Sequence, residues 1–169
     1  QSFEYKGSLD ATVVAIINSI NYTDDIYDVD GNPAERIRWE CSCMQGVCGG
    51  CAIVINNKPA LACSTFLKDI KGDELVLEPL SKFPVISDLM VDRSIIYRNL
   101  NKVKAYLNDR SKALEKDYPH RYQVAKCLKC GLCLEVCPNY SYGTDFFGAV
   151  FANDAYLLYS NQTNDKKEL

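Results

Sequence analysis

Apolar residues recur in the first half of the chain with two rhythms. Leu9, Val13, Ile16, Ile17 and Ile20 fall at helical spacing, with Ser8 or Asp10 placed to cap the N-terminus of the helix they predict. Short strands are expected around it. Gln1–Tyr5 reads as a strand, and Cys51–Ile55 is a branched apolar run. Asn56-Asn57 predicts a turn, Ala60–Phe66 its hairpin partner, and Asp73–Leu80 a further strand broken by Pro79. One helix laid across a small mixed sheet is an α+β pattern.

The texture changes near residue 85. Ser87, after Pro84, is placed to cap a helix whose apolar stripe is Leu89, Ile96, Leu100, Val103 and Leu107. A short helix is expected from Ser111, and Pro119 restarts the chain into Arg121–Lys126. Phe146, Phe147, Val150, Phe151, Leu157 and Leu158 suggest two more helices, and the tail from Asn161 to Leu169 is polar. The pattern divides the chain into residues 1–86 and 87–169. No internal repeat or low-complexity tract is evident.

Of the 169 residues, 47 % are apolar and 24 % charged, values for a folded chain rather than a disordered one. The net charge of −3 gives no electrostatic case for nucleic acid, which calls for a basic surface. Residues 1–85 hold 12 acidic and 7 basic groups, and residues 86–169 hold 10 and 12, a contrast that an ordinary solvated surface explains. Ala11–Ile17 and Phe146–Ala152, the longest apolar stretches, fall far short of the roughly 20 residues that span a bilayer. No transmembrane segment is expected, and no signal peptide opens the chain.

Nine cysteines against one histidine decide the class. Nine is odd, so a closed disulfide framework would leave a thiol over. They also cluster, five between Cys41 and Cys63 and four between Cys127 and Cys137, as sulfurs converging on a metal centre must.

Cys43, Cys48 and Cys51 follow C-x4-C-x2-C spacing, and Cys63 comes after the hairpin turn. This is the plant-type ferredoxin arrangement for a [2Fe–2S] cluster. The loop brings three thiolates to one side and the hairpin delivers the fourth. Gly46, Gly49 and Gly50 are expected to take positive φ and bring N–H groups close to sulfur. Zinc also accepts four cysteines, but usually from two C-x2-C knuckles, and this segment has one. Cys41 would leave a six-residue loop to Cys48, so it is read as a free thiol beside the cluster.

Cys127, Cys130, Cys133 and Cys137 form C-x2-C-x2-C-x3-C-P, the bacterial ferredoxin run for [4Fe–4S] binding. Three cysteines wrap one cubane, and the fourth, before Pro138, normally ligates another cluster. The first three then need one more ligand and Cys137 needs partners. A chain cut short, ligands from another chain, or Cys137 closing the first cubane would each supply them, and a cut chain is favoured.

With both motifs in this order, the chain resembles the iron–sulfur subunit of the succinate dehydrogenase and fumarate reductase family. Leu61-Ala62-Cys63, Glu78-Pro79-Leu80, Phe83-Pro84-Val85-Ile86, Asp88-Leu89-Met90-Val91-Asp92 and Cys137-Pro138-Asn139-Tyr140 are similar to family segments. The resemblance implies an N-terminal β-grasp [2Fe–2S] domain, residues 1–86, followed by an all-α helical ferredoxin domain, residues 87–169. It also implies that a downstream cysteine group completes the [4Fe–4S] site and, with Cys137, holds a [3Fe–4S] cluster. Family members have a further strand before the segment resembling Gln1–Tyr5, and many carry a basic residue where this chain has Cys41.

No G-x-G-x-x-G, P-loop or base–nucleophile pair is present, and His120, beside Pro119, reads as a surface residue. Asp24, Asp25, Asp28 and Asp30 suggest a calcium loop, but aligning Gly31 with the EF-hand glycine puts Ile26 and Ile37 on ligand positions. The implied role is electron relay between the FAD of a flavoprotein partner and a quinone at a membrane-anchor partner, on the cytoplasmic face of the cell membrane. The eight tyrosines from Tyr97 onward could supply interface anchors or ordinary packing. A stand-alone ferredoxin-like carrier is the alternative, and a structural zinc protein is a third reading.

Overall fold

A computed structural model describes residues 1–106 and 119–161. Leu107, the helix expected from Ser111 and the tail beyond Asn161 lie outside the described residues. The chain divides into two compact units, Gln1–Asp92 and Arg93–Leu169.

In the first unit, helix α1 spans Val13–Asn21 and buries Val13, Val14, Ile16 and Ile17. Its cap is Thr12, whose hydroxyl accepts the Ala15 N–H at 3.3 Å. Ser8 instead accepts the Asp10 N–H at 3.1 Å in a preceding turn, so neither Ser8 nor Asp10 caps the helix. Leu9 falls outside the helix and is exposed. No strand forms over residues 1–5. The Ser2 carbonyl accepts the Val29 N–H at 3.0 Å, but one such bond is not a ladder.

Strand β1 (Ala52–Ile55) is buried throughout and central to a three-stranded sheet. It pairs antiparallel with β2 (Lys58–Leu61), Ala52 opposite Leu61 and Ile55 opposite Lys58. Asn56 and Asn57, at φ of 45° and 63°, make the two-residue turn whose twist suits a hairpin. Strand β3 (Leu77–Glu78) pairs antiparallel with the other edge of β1. The sheet is therefore antiparallel rather than mixed. Two expected strands are shorter than their apolar runs. After Leu61 the chain tightens into a 3-10 turn over Ala62–Ser64, because Cys63 must turn back towards the loop rather than extend the hairpin. Before Leu77 the Asn56 side chain replaces ladder bonds, accepting the Val76 N–H at 2.7 Å and donating to the Glu74 carbonyl at 3.1 Å.

Strands β4 (Val85–Ser87) and β5 (Met90–Val91) form a separate antiparallel pair around Asp88, at φ 46°. This overturns Ser87 as the start of the helix expected there, which begins only at Ser94. The Asp88 carboxylate is already committed, accepting the Arg38 N–H at 2.8 Å, and Leu89 packs into the core of the first unit. That core joins Val13, Val14 and Ile17 of α1 to Ile53 and Ile55 of β1, together with Ala62, Leu89, Cys51 and Cys63. The acidic stretch is a local turn. The Asp28 carboxylate accepts N–H groups from Asp30 at 3.0 Å and Asn32 at 2.8 Å, which hold it below the usual carboxylate range.

In the second unit, α2 runs from Ser94 to Lys102 and buries Ile95, Ile96, Asn99 and Leu100. Helix α3 (Arg121–Ala125) follows Pro119. The C-terminal aromatics give one helix, α5 (Gly148–Asn161), rather than two, since no glycine or proline interrupts residues 149–161. Phe146 precedes it and is exposed. Asn153 of α5 donates to the Val124 carbonyl of α3 at 2.9 Å.

Ile17→Ala should therefore cost about 2–5 kcal/mol, because the side chain is fully buried and leaves a cavity. The exposed Tyr22→Ala should stay within about 0.5 kcal/mol. Denaturant titration of both variants with the cofactors loaded checks the contrast.

Candidate functional site

The segment leading into the first cysteine loop is pinned from two sides. The Asn21 side chain, at the end of α1, donates to the Ile37 carbonyl and accepts the Ile37 N–H, both at 2.8 Å. Arg38 is held by Asp88, and its carbonyl accepts the Leu89 N–H at 3.0 Å. Downstream, β1 anchors the loop from Ala52 onward. Between these anchors the chain must reverse tightly, and Met44, Gly46 and Gly49 take φ of 54°, 72° and 76°. Gly50 does not share that conformation. It donates its N–H to Cys48 Sγ at 3.4 Å. The left-handed Met44 carries no sequence signal, since glycine and asparagine advertise that region and methionine does not.

The reversal turns backbone amides towards sulfur. Cys43 Sγ accepts from Gln45 and Val47, each at 3.4 Å, and Cys63 Sγ accepts from Gly46 at 3.2 Å. Cys51 Sγ accepts the Cys63 N–H at 3.5 Å. Each of the four sulfurs thus has a backbone donor. They also meet in pairs, Cys43 with Cys48 and Cys51 with Cys63. The amides of Gln45 and Val47 pull the Cys43 thiol down to about 7, towards the thiolate that binds metal. Burial, joined by Cys63, pushes Cys51 up to about 12, so a thiolate there requires the charge of a bound metal.

These residues fit a two-iron core better than a single ion. All nine cysteines are free thiols. Among the described residues, no three His, Cys, Asp or Glu side chains gather closely enough for one metal ion. Tetrahedral zinc, with bonds of about 2.3 Å to sulfur, would draw all four sulfurs together. Two sulfur pairs ringed by amide donors suit two irons. Cys41 is half-buried against the core, and burial pushes its thiol up.

In the second unit the loop Cys127–Cys137 is curled by Lys129 at φ 53° and Gly131 at φ 88°. Gly131 opens α4 (Leu132–Glu135), which buries Leu134. Lys129 pairs with Asp154, fastening the loop to α5. Cys127 and Cys130 are half-buried. Cys133 is an exposed residue, yet its thiol is pushed up, first by desolvation and then by Cys127 and Cys130. Cys137 lies at the end of α4, its N–H donating to the Leu134 carbonyl at 3.2 Å. His120 is exposed at the start of α3, its ring centre 6.5 Å from that of Tyr156.

Residues 1–98 match the family described as "2Fe-2S iron-sulfur cluster binding domain". The chain is 33 % identical over 144 residues to the succinate dehydrogenase iron-sulfur subunit of Bacillus subtilis, covering 80 % of this chain and 56 % of that one. It is 39 % identical over 138 residues to its counterpart of the same name in Coxiella burnetii, covering 75 % and 57 %. Against the fumarate reductase iron-sulfur subunit of Escherichia coli the identity is 30 % over 174 residues, covering 97 % and 68 %. A solved chain of the Mycobacterium smegmatis Sdh1 complex in the apo form superposes with a TM-score of 0.71 at 25 % identity, covering 89 % of this chain and 64 % of that one. The chain spans a little over half the length of the Bacillus and Coxiella relatives. The fold is ferredoxin-like α+β, and the chain carries iron–sulfur clusters.

Gly46→Ala should weaken cluster retention, since its Cβ would sit 2.8 Å from Ser64 Oγ in a left-handed backbone. Gly72→Ala, also left-handed at φ 91° but with open space around it, should cost only about 1–2 kcal/mol and keep the cluster. Iron per chain after anaerobic purification separates the two.

Proposed function

Because the chain belongs to the family of iron–sulfur subunits of succinate dehydrogenase and fumarate reductase, we propose that it is the electron-relay subunit of such a complex. It connects the FAD of a flavoprotein partner to a quinone at a membrane-anchor partner, and the organic chemistry takes place on those partners. The observation that carries the reading is the first loop, where four sulfurs meet in pairs and each accepts a backbone N–H.

Cys43, Cys48, Cys51 and Cys63 hold the [2Fe–2S] cluster, one sulfur pair to each iron. Cys127, Cys130 and Cys133 supply three ligands of the [4Fe–4S] cluster. Cys137 ligates a further centre, [3Fe–4S], whose other ligands are not among the nine cysteines here. The clusters supply reversible one-electron transfer. The polypeptide orients their ligands and keeps amide donors on sulfur. The domains take the order β-grasp, then helical ferredoxin; the two compact units divide between Asp92 and Arg93 rather than after residue 86, because β4 runs across residue 86 and Leu89 packs into the first unit's core.

Surface chemistry supports partners. Met44 and Val47 expose 53 % and 64 % of their surface on the cysteine loop, an apolar face suited to the flavoprotein. Tyr97, Tyr106, Tyr122, Tyr142 and Tyr159 are exposed, whereas Tyr140 is buried and serves packing. Among the described residues, no helix is long and apolar enough to cross a membrane. In this reading, association with the cytoplasmic face runs through the anchor partner.

The intact complex, purified without air, should contain a flavoprotein in fixed ratio to this chain. A chain that elutes alone and fully loaded would favour the stand-alone carrier. Within that complex, Cys48→Ala should abolish the [2Fe–2S] EPR signal and leave the cubane signal. Cys41→Ala should preserve both, and loss of the first signal would overturn the ligand assignment.

A further inference from the structure

Ser64 follows directly on the fourth cysteine of the first loop, at the end of the 3-10 turn Ala62–Ser64. Its Oγ lies 3.7 Å from Cys63 Sγ, a contact in which either atom of the free side chains could donate. Chemistry settles the direction once Cys63 is a metal-bound thiolate. The sulfur then carries no proton, so the hydroxyl is the donor and sulfur the acceptor. The same hydroxyl sits where a Cβ on Gly46 would fall, 2.8 Å away, and the Gly46 N–H itself donates to Cys63 Sγ at 3.2 Å. Cys63 is therefore flanked by two donors, one from the loop and one from the turn.

We propose that the Ser64 hydroxyl is a positioning residue that tunes the [2Fe–2S] centre by hydrogen bonding to its ligand Cys63. The inference rests on the ligand assignment proposed above. The backbone amides aimed at the other sulfurs are fixed by the path of the loop. Ser64 is a side chain, so this donor can be set by one residue without altering the fold. Reduction adds one electron to the cluster and no proton, and the added negative charge spreads onto the ligand sulfurs. A hydroxyl pointing at Cys63 stabilises that reduced form more than the oxidised one, and so raises the reduction potential. Ser64 is exposed, which leaves room for substitution and lets water compete for the hydroxyl, so the effect is bounded.

The test is a mediated redox titration of the intact complex followed by EPR. Ser64→Ala should keep the [2Fe–2S] signal and lower its midpoint, the reduction equilibrium falling several-fold and by no more than about tenfold. For one electron, tenfold is about 59 mV. Ser64→Thr, which restores a hydroxyl, should return the midpoint to the wild-type value. An unchanged midpoint in Ser64→Ala would overturn the proposal, as would a threonine variant that matches alanine. Loss of the cluster in Ser64→Ala would make the hydroxyl structural and also overturn it. A wild-type complex without the [2Fe–2S] signal would instead strike at the ligand assignment, a separately readable failure.

Discussion

The first unit is organised by one requirement: four cysteine sulfurs must face one another while backbone N–H groups face them. Amides normally satisfied within helices and ladders are here spent on sulfur. The loop can offer Gln45, Gly46, Val47 and Gly50 only by reversing sharply, which is why Met44, Gly46 and Gly49 all adopt left-handed backbone. A loop so strained persists only where its surroundings fix both ends. The Asn21 clasp on Ile37 and the Asp88 bond to Arg38 fix one end, and buried β1 fixes the other.

Cluster binding and folding are coupled through Cys51 and Cys63, which are core residues as well as proposed ligands. Burial, joined by Cys63, holds Cys51 far towards the neutral thiol, so deprotonating it without a metal charge nearby would be unfavourable. Metal affinity for such a site carries folding free energy with it. At the exposed rim the balance is reversed, since two amides already bring Cys43 close to the thiolate. On the proposed ligand assignment, the site joins an edge inclined towards the thiolate to a buried edge that iron would complete.

The sequence pattern carried the elements that local chemistry controls. Helix α1, the Asn56-Asn57 turn and strand β1 follow from periodicity and turn propensity. What it concealed depended on tertiary competition. Ser87 has the chemistry of a helix cap, but Asp88 is recruited by Arg38, fifty residues of chain closing on one hydrogen bond, and a β-turn results. Residues 1–5 have strand composition without a strand beside them. At the site, cysteine spacing showed which residues could converge. The pairing of their sulfurs, the left-handed Met44 and the Ser64 contact are properties of the folded loop and have no motif.

The most direct test measures iron, zinc and acid-labile sulfide in the complex isolated without air. Inorganic sulfide in proportion to iron, with no zinc, is the outcome this account requires. Stoichiometric zinc without sulfide would contradict it, because the paired sulfurs would then surround a single redox-inert ion.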